Sequence, residues 1–146
     1  MKGLKTLTAI ALGVALLVGA VPAAAKGPAF KHYVACGLSE KAKPSHICQK
    51  PRKKGAFFLA NRGHRCIDAK GKEIRCVYYT VCVKFPTKKN LCAPKQQAEK
   101  GRLYVNRITT NIPGKHKVTW FVAGKRVGTF YFFVPERSNH KRGSGK

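Results

Sequence analysis

Acidic side chains are nearly missing from this sequence. Asp and Glu together number 5 against 30 Lys and Arg, and the acids stand apart at Glu40, Asp68, Glu73, Glu99 and Glu136. Glycoside hydrolysis needs two carboxyl groups held within roughly 10 Å of each other, which five scattered acids scarcely supply. Serine-hydrolase chemistry fares no better: Asp68 is the single aspartate, and no Gly-x-Ser-x-Gly elbow occurs. No two cysteines have the two-to-four-residue separation of a zinc knuckle, and no two histidines lie three to five apart. We therefore expect neither a metal nor a cofactor. Beyond residue 25 no apolar run approaches the ~20 residues that cross a bilayer as a helix, so no transmembrane segment is expected in the mature chain. Helical periodicity is also missing throughout.

What is present begins with a leader. Lys2 and Lys5 flank the start, residues 8–20 are nearly all apolar, and Ala23-Ala24-Ala25 supplies small residues for cleavage, so residues 1–25 read as a secretory signal peptide. The first cysteine is Cys36, so no thiol is placed to accept a lipid at the cleavage site. Residues 26–135 then form one domain, and residues 136–146 (ERSNHKRGSGK) read as a disordered basic tail. Without Lys2 and Lys5 the exported product keeps 28 basic side chains against 5 acidic ones. Such a surplus repels itself and works against a compact state. The expectation is a secreted, extracellular, monomeric domain that needs covalent help to stay folded.

Six cysteines, Cys36, Cys48, Cys66, Cys76, Cys82 and Cys92, supply that help if oxidised, as export permits. They allow 15 pairings, among which spacing alone cannot choose. Two intervals are informative all the same. Nine residues separate Cys66 from Cys76, and nine separate Cys82 from Cys92. If each pair faces across a hairpin, the turns centre on Lys70-Gly71-Lys72 and Pro86-Thr87-Lys88, both rich in turn formers. Facing residues of an antiparallel pair lie ~4.5–5.5 Å apart at Cα, within reach of a disulfide. Cys36 and Cys48 then remain around a polar loop. Closing loops of this size contributes on the order of 3 kcal/mol each.

The rest of the chain alternates as strands do. Over residues 77–85, Val77, Tyr79, Val81, Val83 and Phe85 share one face, and Pro86 ends the run. Residues 91–93 return beside it. Residues 102–109 (RLYVNRIT) are a shorter β-prone stretch, followed by the turn Asn111-Ile112-Pro113-Gly114. In residues 115–122 (KHKVTWFV), His116, Val118, Trp120 and Val122 share a face; Ala123-Gly124-Lys125 turns the chain, and residues 127–134 (VGTFYFFV) pair back. Residues 30–35 and 55–59 are further strand candidates. Seven or eight short strands with turns about every ten residues indicate an all-β domain, a sandwich or a small barrel. Trp120, Phe121, Phe130, Phe132 and Phe133 suit a stacking platform for bases or sugars, but a domain of this size first needs such residues for its interior.

The segments VYYTVCVKFPTKKNLC and GRLYVNRITTNIPGKHKVTWFVAGKRVGTFYFFV resemble a group of small secreted immunoglobulin-like proteins from high-GC Gram-positive bacteria. Cys82, Cys92, Gly114, Trp120, Gly124 and Gly128 are the most telling positions, and the CGLSEKAKPSHIC segment is similar as well. The resemblance covers about half of the mature chain. It implies an antiparallel immunoglobulin-like β-sandwich without catalytic residues. In this chain the Trp sits late, not between the two cysteines of an inter-sheet bridge as in antibody domains.

Charge is then the main functional signal. Lys50, Arg52, Lys53 and Lys54 form one cluster, Lys70 and Lys72 mark one hairpin tip, Lys88 and Lys89 the next, and Lys125 with Arg126 a third. Gathered on one end, they would attract polyanions such as nucleic acid, anionic wall polymers or anionic headgroups. The plainer reading is that they keep the protein soluble and blunt sheet edges. A ribonuclease is the enzymatic alternative, with His32, His46, His64, His116 or His140 as acid and base. The Cys-Lys-x-x-Asn-Thr-Phe signature of the pancreatic type is absent, however. A cationic membrane-active protein would need an amphipathic helix or an exposed apolar face. The reading favoured is a non-enzymatic module whose cationic surface meets the cell envelope or other polyanions.

Overall fold

The computed structural model describes residues 28–48 and 53–136. The residues read as a leader, most of those read as a tail, and Lys50 and Arg52 lie outside the described residues. Nine strands form among the described ones: β1 (Phe30–Ala35), β2 (Lys54–Ala60), β3 (His64–Ile67), β4 (Glu73–Lys84), β5 (Asn90–Cys92), β6 (Gln96–Glu99), β7 (Leu103–Ile108), β8 (Gly114–Val122) and β9 (Lys125–Val134). No helix appears among them. One sheet has the order β1-β2-β7; the other runs β3-β4-β8-β9, with β5 and β6 also paired to β4. All these named-strand pairings are antiparallel. In immunoglobulin lettering this is A-B-E packed on C-F-G, with β4, β8 and β9 as C, F and G. The domain is an antiparallel immunoglobulin-like β-sandwich.

Alternation along β4 explains the packing. Val77, Tyr79, Val81 and Val83 point inward and are buried, while Tyr78 and Lys84 face out. His116, Val118 and Trp120 on β8 and Phe132 and Val134 on β9 complete that inner face. The opposing sheet contributes Val34, Ala56, Phe58 and Ala60 to the same cluster. The sheets meet where the Phe58 and Tyr79 rings stack at 4.3 Å. There the Tyr79 hydroxyl donates to Asn106 Oδ1 on β7 at 2.7 Å, with Gln96 Oε1 at 2.9 Å. Burial, and second the nearby Tyr104, push the Tyr79 hydroxyl pKa up to about 12.

Three disulfides join Cys36 to Cys48, Cys66 to Cys76 and Cys82 to Cys92. Cys82 and Cys92 face each other directly, as the spacing suggests. The other hairpin corrects the expected register: Cys66 faces Ile74 and Cys76 faces His64, so the bridge runs diagonally, with Cα atoms 5.8 Å apart. The turn is the cause. Gly71, at φ 78°, takes the left-handed position that closes the turn, which centres the loop on Lys70, and Asp68 Oδ1 accepts from the backbone N–H groups of Lys70 (2.9 Å) and Lys72 (2.8 Å) within it. The strand that sequence reading left out, β6, is short. β6 (QQAE) carries one buried apolar residue, Ala98, and exists because β4 offers it an edge.

After β1 the chain crosses between the sheets. Ser45 N–H donates to the Val34 carbonyl, and residues 46–48 then pair in parallel with β9 around Ile47 and Phe133. The Cys36–Cys48 bridge closes this crossing. It also covers part of the outer edge of β9, where a bare edge strand would invite pairing with other chains.

The β3–β4 and β4–β5 hairpins have the same loop, with Gly71 N–H donating to Asp68 O in one and Lys88 N–H to Phe85 O in the other. Gly71 has φ 78° and Lys88 has φ 67°. Lysine in that left-handed region costs roughly 1 kcal/mol more than glycine. Lys88→Gly is therefore expected to raise stability by about 0.5–1 kcal/mol in urea unfolding, and no gain would show that Lys88 carries no strain. Gly128 gives the opposite expectation, because a Cβ there would run into the His32 imidazole across the sandwich. Gly128→Ala should cost about 1–3 kcal/mol in the same assay; an unchanged midpoint would mean that the His32 ring moves aside freely.

Candidate functional site

The register decides which basic clusters come together. The β3–β4 tip with Lys70 and Lys72 leads into β4, whereas the β4–β5 tip with Lys88 and Lys89 follows it, so a strand of 12 residues lies between them. At ~3.3 Å per residue that is about 40 Å. The β8–β9 tip beside Lys125 and Arg126 adjoins Tyr79, nearer the middle of β4. The three tips therefore do not share one end. Lys53 does lie at the Lys88–Lys89 end, because neighbouring Lys54 reaches the segment just before β8. Lys54 itself corrects the expectation of a surface cation: it is only 2% exposed, and its Nζ donates to the Thr110 carbonyl at 2.8 Å. It opens β2, and the chain direction turns its side chain into the sandwich.

Three lysines outside the clustered motifs complete this end. Lys84 faces Lys117 across β4–β8, Lys117 faces Tyr131 across β8–β9, and Lys115 faces Phe133. All five residues point outward, opposite in phase to the buried His116, Val118, Phe132 and Val134. Isolated lysines within strands carry no run of charge, so a scan for clusters passes over them. What could have found them is their period-two phase against the buried residues. Lys41 and Lys43 stand in the loop after β1, at the same end. Of the acids, Glu40 and Glu136 lie in segments leaving this end, while Asp68, Glu73 and Glu99 belong to the other half of β4 and its partners. The ion pair found among the described residues, Arg65 to Glu73 at 3.4 Å, is in that other half and strongly exposed.

Aromatic rings are interleaved with the lysines. Tyr131 and Phe133 are 42% and 45% exposed, and the Lys115 ammonium lies over the Tyr131 ring, 4.3 Å from its centre. Trp120 and Phe132 are core residues, Phe121 and Phe130 are half-buried, and Phe133 is the one of the five aromatic candidates that is exposed.

Beneath this face lies a buried polar group. His116 is fully buried, and its Nδ1–H donates to the Gly114 carbonyl at 3.1 Å. Since a carbonyl only accepts, Nε2 of the neutral ring is left to accept from the Thr110 hydroxyl, also at 3.1 Å. Burial holds the His116 pKa below its usual 6.5; the Gly114 carbonyl opposes this, and the Lys54 charge adds to it. His32, enclosed against Trp120 with ring centres 5.1 Å apart, is lowered by burial as well. His46 is exposed, but its ring stacks on Phe130 at 4.2 Å and its Nδ1–H donates to the Tyr131 carbonyl. His64 lies with Cys66 and Cys76 in a group whose ligand atoms fall within 4.8 Å, yet both sulfurs are consumed by their disulfide.

No family model matches this sequence, and no curated protein matches it. Among the solved structures that are similar, two align at low identity. An immunoglobulin-like protein from Pseudomonas aeruginosa aligns with TM-score 0.40 and 11% identity, over 72% of this chain and 90% of that one. An alkylpurine DNA glycosylase from Pseudomonas fluorescens, bound to DNA containing an abasic-site analogue, aligns with TM-score 0.40 and 14% identity over 75% of this chain. This chain spans 31% of the glycosylase's length. The fold follows from the strand order described above.

The two lowered histidines set a pH dependence. In the unfolded chain each takes up a proton near pH 6.5, whereas in the fold each resists it. Stability is therefore complete above that value and falls as pH drops below it, until the folded rings are protonated too. The urea midpoint is expected to decrease between pH 7.5 and 5.0, and His32→Gln/His116→Gln, though less stable at neutral pH, should lose less over that interval. A midpoint constant across it would contradict the assignment.

Proposed function

We propose that this protein is a secreted, non-enzymatic immunoglobulin-like module that associates with polyanions through one end of its larger sheet. The observation that carries the reading is the grouping of Lys53, Lys84, Lys88, Lys89, Lys115 and Lys117 at that end, on strands and a loop that hold no acidic side chain there. A disulfide-linked fold and an apparent leader support export, as does the resemblance to small secreted immunoglobulin-like proteins. Several lysines on one surface add their potentials, and a polyanion that binds there releases its condensed counterions. Nucleic acid, anionic wall polymer and anionic headgroups all supply that charge. Among the described residues no helix is long and apolar enough to cross a membrane. One further observation favours binding over hydrolysis: His116, a candidate acid or base, is sealed in the interior.

The reading predicts strong retention on a heparin column, with elution moved to much lower salt by Lys84→Gln/Lys88→Gln/Lys89→Gln/Lys117→Gln. The control Lys70→Gln/Lys72→Gln/Lys125→Gln/Arg126→Gln removes the same charge from elsewhere and should shift elution less. Equal shifts would show charge acting evenly, and flow-through at low ionic strength would remove the proposal.

A further inference from the structure

We infer that the outer face of β4-β8-β9 is a platform for single-stranded nucleic acid, a reading that rests on the proposed polyanion association and names its ligand class. The face offers two kinds of group in alternation. Tyr131 and Phe133 project from β9, two residues and therefore ~7 Å apart along the strand, with more than two fifths of each exposed. Beside them in register stand Lys117 and Lys115, with Lys84 next to Lys117. A hydrocarbon ring on the surface costs free energy in water, and β9 exposes two on one side while burying Phe132 on the other. An anionic polymer without planar groups would use the lysines and leave these rings idle. An unpaired nucleotide brings both partners, one phosphate charge and one π-face, in each repeat, and base–aromatic stacking with cation–phosphate contact is how sheet surfaces hold single strands. Paired bases present no free faces, so a duplex meets the lysines alone.

The Lys115 ammonium already sits over the Tyr131 ring, so cation and ring occupy one spot on the sheet. None of the five acids lies on β8, on β9 or on residues 79–84 of β4. Glu136, two residues past the end of β9, is the acid adjoining the platform along the chain. The segment carrying Ile47, itself 60% exposed, borders the platform along β9 and extends its apolar rim.

The test is fluorescence anisotropy of the disulfide-bonded protein with labelled oligothymidine of twelve nucleotides. An abasic oligomer of equal length, a duplex of equal length and heparin serve as competitors. Oligothymidine is expected to bind at least about tenfold more tightly than the abasic oligomer, since each stacked base adds roughly five-fold or more. Tyr131→Leu/Phe133→Leu keeps the apolar bulk but loses the flat rings, and should abolish that preference while heparin affinity stays within twofold. Lys115→Gln/Lys117→Gln should weaken both ligands and lower the salt slope by about 1.4 for the single strand. Equal binding of thymidine and abasic oligomers by the unmutated protein, with heparin still bound, would overturn the platform and leave polyanion association standing. Failure to bind any of the four at low salt would overturn both. Tighter binding of the duplex than of oligothymidine would also defeat the platform, because the rings would then have no role.

Discussion

Same-sign charge on a small sandwich is the constraint that the rest of this structure answers. Lysines gathered at one end of a sheet raise the free energy of the compact state, and an unfolded chain relieves that repulsion by expanding. The cross-links stand where this matters. Cys82–Cys92 fastens β5 to β4 immediately before and after the loop that carries Lys88 and Lys89. Cys36–Cys48 fastens the end of β1 to the segment lying on β9 beside Phe133. Both limit the expansion that repulsion would drive in the unfolded chain. The third bridge braces the separate β3–β4 hairpin, which has few core contacts of its own beyond Cys66 and Cys76.

The interior answers the same constraint by being apolar and aromatic almost throughout, with its polar exceptions tied down. Lys54, Thr110 and His116 form one such exception, joined through the Thr110 carbonyl and hydroxyl. This group lies directly under the cationic end, so a second proton on His116 would place a further charge beside Lys54 in the buried interior. Keeping His116 neutral is therefore part of what makes the charged face above it tolerable. Trp120 is a different case. Its Nε1 and the His32 Nδ1 are buried without a hydrogen-bonding partner, and each such group costs about 1–3 kcal/mol. The ring area that Trp120 and its neighbours bury outweighs that loss.

Strand content was legible because a half-buried strand writes period two into its sequence. Residues 77–85 and 115–122 turned their apolar phase inward and took His116, which shares that face, into the interior despite its polarity. Hairpins were legible where turn chemistry was unambiguous: Pro86-Thr87-Lys88 placed Cys82 opposite Cys92. The Cys66–Cys76 hairpin misled by one position because its glycine takes the left-handed position after the turn and not the centre of the loop. β6 was invisible because its reason to be a strand is the edge of β4, a tertiary cause that QQAE does not encode. For the candidate site, linear clustering was the wrong guide. Lys54 belongs to a run of basic residues yet points inward, whereas Lys84, Lys115 and Lys117 are isolated in sequence and adjacent in space. Charge runs report on loops, and a sheet face is assembled from every second residue of strands far apart in the chain.

Alternation also bears on why β9 carries so many aromatics. In FYFF the inward phase gives Phe130 and Phe132, and those the sandwich consumes; the outward phase gives Tyr131 and Phe133, which it does not. Folding alone would be served as well, or better, by threonine or lysine at the outward positions, since an edge strand gains protection from polar side chains. The strand gains part of that protection from elsewhere, through the 46–48 segment and the Cys36–Cys48 bridge. The backbone edge is thereby shielded while the two rings stay exposed beside three lysines. Shielding the edge and exposing the face together separate two kinds of stickiness: pairing with another strand is hindered, whereas contact with a flat, anionic partner is not.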